Sequence, residues 1–176
     1  MIWVGLTVVP GRFWRIQHGD VPPPPEEWPD IVAVIPARNE AAVIGDTVRS
    51  LWAQDYPGHF RLVVVDDHSD DVTAETARQA ARGCGQEADL KVLAAEPLAL
   101  GWTGKVWAMH QGVTRGIPAD DCARYILFSD ADIFHGEGTL RELVIRAEAG
   151  GLDLVSLMVR LQNRTLAVKA THFFRF

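Results

Sequence analysis

The chain has 176 residues, 48% of them hydrophobic and 23% charged, a balance that can build a packed core and excludes a disordered chain. That length suits one domain on a prior of about 150 residues each. With 17 Lys and Arg against 23 Asp and Glu and a formal net charge of −6, it offers no basic surface for non-specific nucleic-acid binding.

Residues 1–9 are apolar apart from Thr7. Nine helical residues reach only about 14 Å against a hydrocarbon core of about 30 Å, so this stretch cannot cross a membrane. It also lacks the basic region and small-residue cleavage site of a signal peptide. Two readings stay open: an apolar tail that packs on the domain or lies at a bilayer interface, which we prefer, and the remnant of a longer anchor. Residues 22–25 are all Pro and Pro29 follows, a stiff polyproline-like spacer. Residues 1–29 are therefore expected to be tail and linker, with the domain over residues 30–176.

From Asp30 onward, short β-branched runs alternate with amphipathic stretches, which implies a parallel sheet covered by helices. The first strand is expected over residues 31–35, stopped by Pro36. A helix follows over residues 40–54, with Val43, Ile44, Val48, Leu51 and Trp52 on one face. The second strand is read at 61–65, a helix at 72–82, a third strand at 90–94, and a helix that follows Lys105 and ends near Gly116. A fourth strand over 125–129, a helix over 138–149 stopped by Gly150-Gly151, and a fifth strand over 152–157 complete the pattern. Cys84 and Cys122 fit no metal-ligand spacing and read as buried thiols of a reducing compartment.

The unusual residues fall at one kind of place. Asn39-Glu40, Asp66-Asp67, Lys105 and Asp130/Asp132 all lie just past the C-terminal ends of expected strands, the edge where open parallel sheets bind ligands. On an extended chain Asp130 and Asp132 would point to the same side and could share one object. Two acids in one site repel unless a cation sits between them, and Mg²⁺ or Mn²⁺ takes such oxygen ligands. Alone, the pair is equally compatible with two solvated acids at a strand end.

Other residues are weighed the same way. Ser69 and Asp71 read as turn and cap residues, and Asp67 as a ligand residue. His68 sits where a turn needs positive φ, which His tolerates. Gly101-Trp102-Thr103-Gly104-Lys105 fails the phosphate-binding loop pattern, because Ala99 and Val106 stand where Gly and Ser or Thr are required. Lys105 at a helix N-terminus can still meet a diphosphate, or be a plain surface lysine. Trp52, Trp107, Phe128 and His110 read as core.

Taken in order, four motifs resemble those of the family 2 glycosyltransferases. They are Ile35-Pro36-Ala37-Arg38-Asn39-Glu40, Val65-Asp66-Asp67-His68-Ser69-Asp70-Asp71-Val72-Thr73, Gly104-Lys105-Val106-Trp107-Ala108 and Asp130-Ala131-Asp132. The resemblance spans residues 30–157, and its details are most similar to the membrane-associated glycosyltransferases found with hopanoid (hopene) biosynthesis. It implies the α/β GT-A fold, a mostly parallel sheet with flanking helices. It also implies a nucleotide-diphosphate-sugar donor, Mg²⁺ or Mn²⁺, and inverting transfer to an acceptor hydroxyl.

By the same resemblance, Pro36, Ala37, Glu40, Asp66, Asp67, Lys105 and Asp130 would form the nucleotide-sugar site, with Ala37, Glu40 and Asp67 around the nucleoside. Asp130 would face ribose or metal and Asp132 would ligate the metal; these two aspartates are the catalytic candidates. The narrower resemblance implies a lipid or hopanoid acceptor, and a location on the cytoplasmic side in association with a membrane.

The chain departs from the family at one point. There the aspartate that activates the acceptor lies well beyond the metal motif, in an acceptor-binding half. Here Glu137, Glu142, Glu148 and Asp153 read as helix-face or loop acids. The expectation is an N-terminal part with a donor site and without that base, and Phe173, Phe174 and Phe176 suggest a missing partner surface. Two alternatives remain: a non-catalytic donor-binding fragment, and a haloacid-dehalogenase-type phosphatase. The latter generally carries Asp-x-Asp on the first strand before Thr or Val, whereas Ile133 follows here.

Overall fold

The computed structural model describes residues 21–157. Four strands form one parallel sheet: β1 (Ile31–Ala37), β2 (Phe60–Asp66), β3 (Leu90–Ala94) and β4 (Tyr125–Phe128), in the order β3-β2-β1-β4. Parallel neighbours need crossovers. These are α1 (Ile44–Trp52), α2 (Thr73–Gly83) and α3 (Gly104–Gln111), the last continuing into a π-helical turn over Gly112–Gly116; α4 (Thr139–Gly150) follows β4.

Because side chains alternate along a strand, the two faces of β1 meet different helices. Ala33, Ile35 and Ala37, with Leu62 and Val64 of β2, pack on Ile44, Val48 and Leu51 of α1 and on the alanines of α2. Val32, Val34, Val63 and Val65 face Ala108 of α3. Ile31 meets Leu140 and Val144 of α4, with Trp28 and Tyr56 packed alongside. Buried on both faces, the β1 and β2 runs are near-continuously apolar, as a covered parallel sheet requires.

The chain leaves β1 towards β2 and β3 and returns to β4 on the other side of β1. The order therefore reverses between β1 and β4, and the loops leaving these two strands part at their C-terminal ends. Such a switch point opens a crevice.

Several expectations are corrected. The first strand runs through Pro36 to Ala37. The β4 ladder ends at the Val34–Phe128 pair, so the proline's missing N–H falls where no neighbour needs it. Residues 41–43 form turns before α1, and residues 152–157 form no strand. Among the described residues nothing pairs with them, and Leu154 is 83% exposed. Cys84 and Cys122 are both exposed, one just past α2 and the other in the loop before β4. Phe128 is 48% exposed, since β4 is an edge strand among the described residues, and His110 is also exposed, stacked on Trp107 at 5.4 Å. The apolar N-terminal stretch and the three C-terminal phenylalanines lie outside the described residues. Within those residues no helix is long and apolar enough to cross a membrane.

Candidate functional site

The loops leaving β1 and β2 are tied into one unit by side chains bonding to backbone. Asn39 donates its N–H to Ser69 Oγ at 2.9 Å and accepts from the Asp70 N–H at 2.8 Å. The Glu40 N–H reaches Thr73 Oγ1 at 2.8 Å, and the Ala41 N–H reaches Asp71 Oδ2 at 3.1 Å. Asp71 also accepts from the Thr73 hydroxyl and, at 2.9 Å, from the Thr73 N–H, and these bonds to its ionised form, the hydroxyl's first, hold its carboxyl below the usual range. Asn39 (φ 55) and His68 (φ 57) stand in the left-handed region, where Asn and His are tolerated better than most residues. The positive φ at His68 was legible in the sequence; the one at Asn39 was not anticipated.

Past β4 the two aspartates do not lie on extended chain, as expected, but enter a turn; the Ile133 N–H reaches back to the Asp130 carbonyl at 3.4 Å. Ala131 is buried between exposed Asp130 and Asp132, so the acids project from a turn whose middle residue is the anchor.

These segments meet in a cavity of about 500 Å³ lined by Pro36, Ala37, Arg38, Glu40, Asp67, Gly104, Lys105, Ala108, Asp130, Ala131 and Asp132. It brings together Pro36, Ala37, Glu40, Asp67, Lys105, Asp130 and Asp132 from the candidate set. Asp66 is not in the lining; its Oδ1 accepts the Ser69 N–H at 3.1 Å inside the turn. Lys105 Nζ lies 2.6 Å from Asp130 Oδ1, and Arg38 Nη1 lies 3.9 Å from Asp67 Oδ2. Gly104 stands close to Asp67: a Cβ there would come within 3.2 Å of Asp67 Oδ2, so the small residue lets α3 begin against that carboxylate.

Arg38 received no role from the sequence, although it stands between Ala37 and Glu40. The signal available was its place on the first loop beyond a central strand. Among the described residues no group of three or more His, Cys, Asp and Glu side chains gathers as a metal cage. Two carboxylates opening on a polar cavity are instead the sparse oxygen donor set that Mg²⁺ or Mn²⁺ takes when phosphate and water complete its shell.

Residues 29–176 match the model of the family described as "Glycosyltransferase like family 2". A 4,4'-diaponeurosporenoate glycosyltransferase of Staphylococcus aureus is 34% identical over 106 residues, which cover 58% of this chain and 24% of that protein. An N-acetylglucosaminyltransferase of Mesorhizobium japonicum is 43% identical over 49 residues, 27% of this chain and 12% of that protein. Among solved structures, the mannosyltransferase PcManGT from Pyrobaculum calidifontis, in complex with GDP-Man and Mn²⁺, is 25% identical with a TM-score of 0.57, covering 76% of this chain and 36% of its own. S. aureus TarS 1-349 in complex with UDP is 26% identical with a TM-score of 0.51, covering 68% and 32%. The matched stretch spans about a quarter of the length of the first of these relatives.

Proposed function

From the premise that the chain belongs to the glycosyltransferase-like family 2 and has its GT-A fold, we propose that the cavity binds the nucleotide-diphosphate-sugar donor of a metal-dependent, inverting glycosyltransferase. The observation that carries this reading is the convergence of four loops, bringing Glu40, Asp67, Lys105, Asp130 and Asp132, on one cavity at the sheet's switch point. In this reading Ala37, Glu40 and Asp67 hold the nucleoside, carboxylates accepting from ribose hydroxyls and base N–H groups. Lys105, in the first turn of α3, meets the diphosphate with the helix dipole behind it.

Charge supports a cation here. Arg38 and Lys105 line the cavity with Glu40, Asp67, Asp130 and Asp132, so two carboxylates are left uncompensated, and an anionic diphosphate would be repelled. Asp132 and Asp130 would hold Mg²⁺ or Mn²⁺, which when bound supplies Lewis-acid stabilisation of the negative charge on the leaving diphosphate. As the anomeric bond to the diphosphate breaks, the acceptor oxygen bonds to the opposite face of that carbon and its proton passes to a base. Glu142 and Glu148 are engaged by Arg146 and Tyr125, at 2.6 and 2.7 Å, and receive no such role. We extend the reading to a lipid-like acceptor at the cytoplasmic side of a membrane. The relative named for 4,4'-diaponeurosporenoate and the exposed Leu98, Leu100 and Trp102 just before the Lys105 helix support it.

The test is calorimetry of the whole chain with UDP-sugars and GDP-sugars, with Mn²⁺ or with chelator. Metal should strengthen binding at least about tenfold, and Asp132→Ala should abolish that increment. Equal affinity in chelator and in Mn²⁺ would overturn the reading.

A further inference from the structure

The loop that carries Asp130 and Asp132 is held by polar side chains of α1, Thr47 and Ser50, and by Gln54 just past its end. Thr47 is only 2% exposed, and its hydroxyl donates to the Ala131 carbonyl at 2.6 Å. Ser50, also buried, donates to the Thr47 carbonyl at 2.8 Å and accepts the His135 N–H at 3.1 Å. Gln54 donates to the Gly136 carbonyl at 2.8 Å and accepts the Leu140 N–H at 2.9 Å. The spacing i, i+3 puts Thr47 and Ser50 on one line of the helix, and Gln54 extends that line beyond its end. On the far side of the turn, Ser129 Oγ and His135 Nε2 are 2.8 Å apart.

Buried hydroxyls contribute little to a helix and are costly if unpaired, so a stripe of them facing one loop asks for a reason beyond packing. The pinning points supply it. Ala131 is fixed from within while its two neighbours project outward, which sets the separation and direction of both carboxylates.

We propose that Thr47 is a positioning residue for a divalent cation held by Asp130 and Asp132, acting through the Ala131 carbonyl without touching ion or donor. The inference rests on the cation reading given under Proposed function. A cation gains from two carboxylates only when their geometry is preset, and loss of an outer partner that orients ligands lowers metal affinity about 10–100-fold.

The experiment measures affinity for Mn²⁺ alone, from the electron paramagnetic resonance of free Mn²⁺, together with thermal stability. Thr47→Val keeps the shape of the side chain but leaves the Ala131 carbonyl unpaired; it should weaken Mn²⁺ binding about tenfold. Thr47→Ser keeps the hydroxyl and should stay within about threefold of wild type, because the partner that orients the turn remains. Val48→Ala, a core truncation on the same helix, should lose stability and keep affinity. Thr47→Ala, which removes the same hydroxyl from the Ala131 carbonyl, gives the same comparison if Thr47→Val does not fold. Wild-type affinity in the hydroxyl-deleted variant, whatever its stability, overturns the positioning role alone. Absence of Mn²⁺ binding by wild type, or unchanged binding by Asp132→Ala, overturns the cation reading and this role with it.

Discussion

Gly112 sets how closely α3, and with it Lys105, can lie on the sheet. A Cβ at this position would come 2.3 Å from Val34 Cγ1 and 3.1 Å from Val65 Cγ2, whereas carbon atoms rest at about 3.5–4.0 Å. Gly112→Ala must therefore lift the end of α3 or drive Val34 off its rotamer. Overpacking of this kind costs about 1–3 kcal/mol, against about 1 kcal/mol that Ala gains over Gly in a helix. The expected net loss is about 0–2 kcal/mol. Val34→Ala alone removes two fully buried methyl groups, about 0.8 kcal/mol each before any cavity term, or about 2–3 kcal/mol in all. In the double variant the 2.3 Å clash with Cγ1 is gone, leaving the new methyl 3.5 Å from the Cβ of residue 34 and 3.1 Å from Val65 Cγ2, in space that Cγ1 has left. The pair should therefore be less destabilising than the sum of the singles by about 1–2 kcal/mol in urea unfolding. Losses that add to within about 0.5 kcal/mol would refute the close seat of α3 on β1.

Three further outcomes are expected. Lys105→Ala breaks a pair whose side chains are both about half exposed, so stability should move by no more than about 1 kcal/mol, while metal-dependent nucleotide affinity in calorimetry falls about tenfold. Unchanged affinity would remove Lys105 from the donor site. Asp130→Asn deletes one of the cavity's four carboxylate charges and frees Lys105 from its pair, so nucleotide binding in chelator should strengthen by about fivefold, equivalent to about 1 kcal/mol, while the gain from Mn²⁺ shrinks; weaker binding in both conditions would contradict the charge argument. Burial holds the His135 imidazole below its ordinary value of 6.5, so the unfolded chain takes up its proton first as pH falls. Stability should accordingly be level above about pH 6.5 and decline below it towards the lowered folded value, and His135→Gln should flatten that decline in denaturation curves; an unaltered slope would count against the burial effect.

The fold was legible because its elements are locally consistent. The β1 and β2 runs are apolar on both faces, and residues between strands repeat at helical spacing, so pattern and burial agree. The failures lie where a long-range fact decides. Pro36 reads as a stop until one knows that β4 ends two residues earlier in the ladder. Residues 152–157 have the composition of a strand, but a strand exists only with a partner, which composition does not supply. Phe128 has the composition of a core residue yet lies on an edge strand, and strand order is not written in any one segment.

The candidate site divides along a similar line. Asp67, Asp130 and Asp132 could be singled out because a fold has little use for acids at the ends of buried strands, so their presence invites a chemical reason. Asp66 has the same composition and place, but its carboxylate closes a turn by accepting the Ser69 N–H; only the bond tells the two neighbours apart. Thr47, Ser50 and Gln54 escape for the opposite reason. On an amphipathic helix a hydroxyl three residues from another reads as the solvent face, and nothing local reveals that this line is buried under residues more than 80 positions away. On the proposed reading, groups that touch donor or metal thus stand out by conflict with folding, whereas groups that hold them in place agree with it. A reading of this sequence finds the acids first and their supports only once the chain is folded.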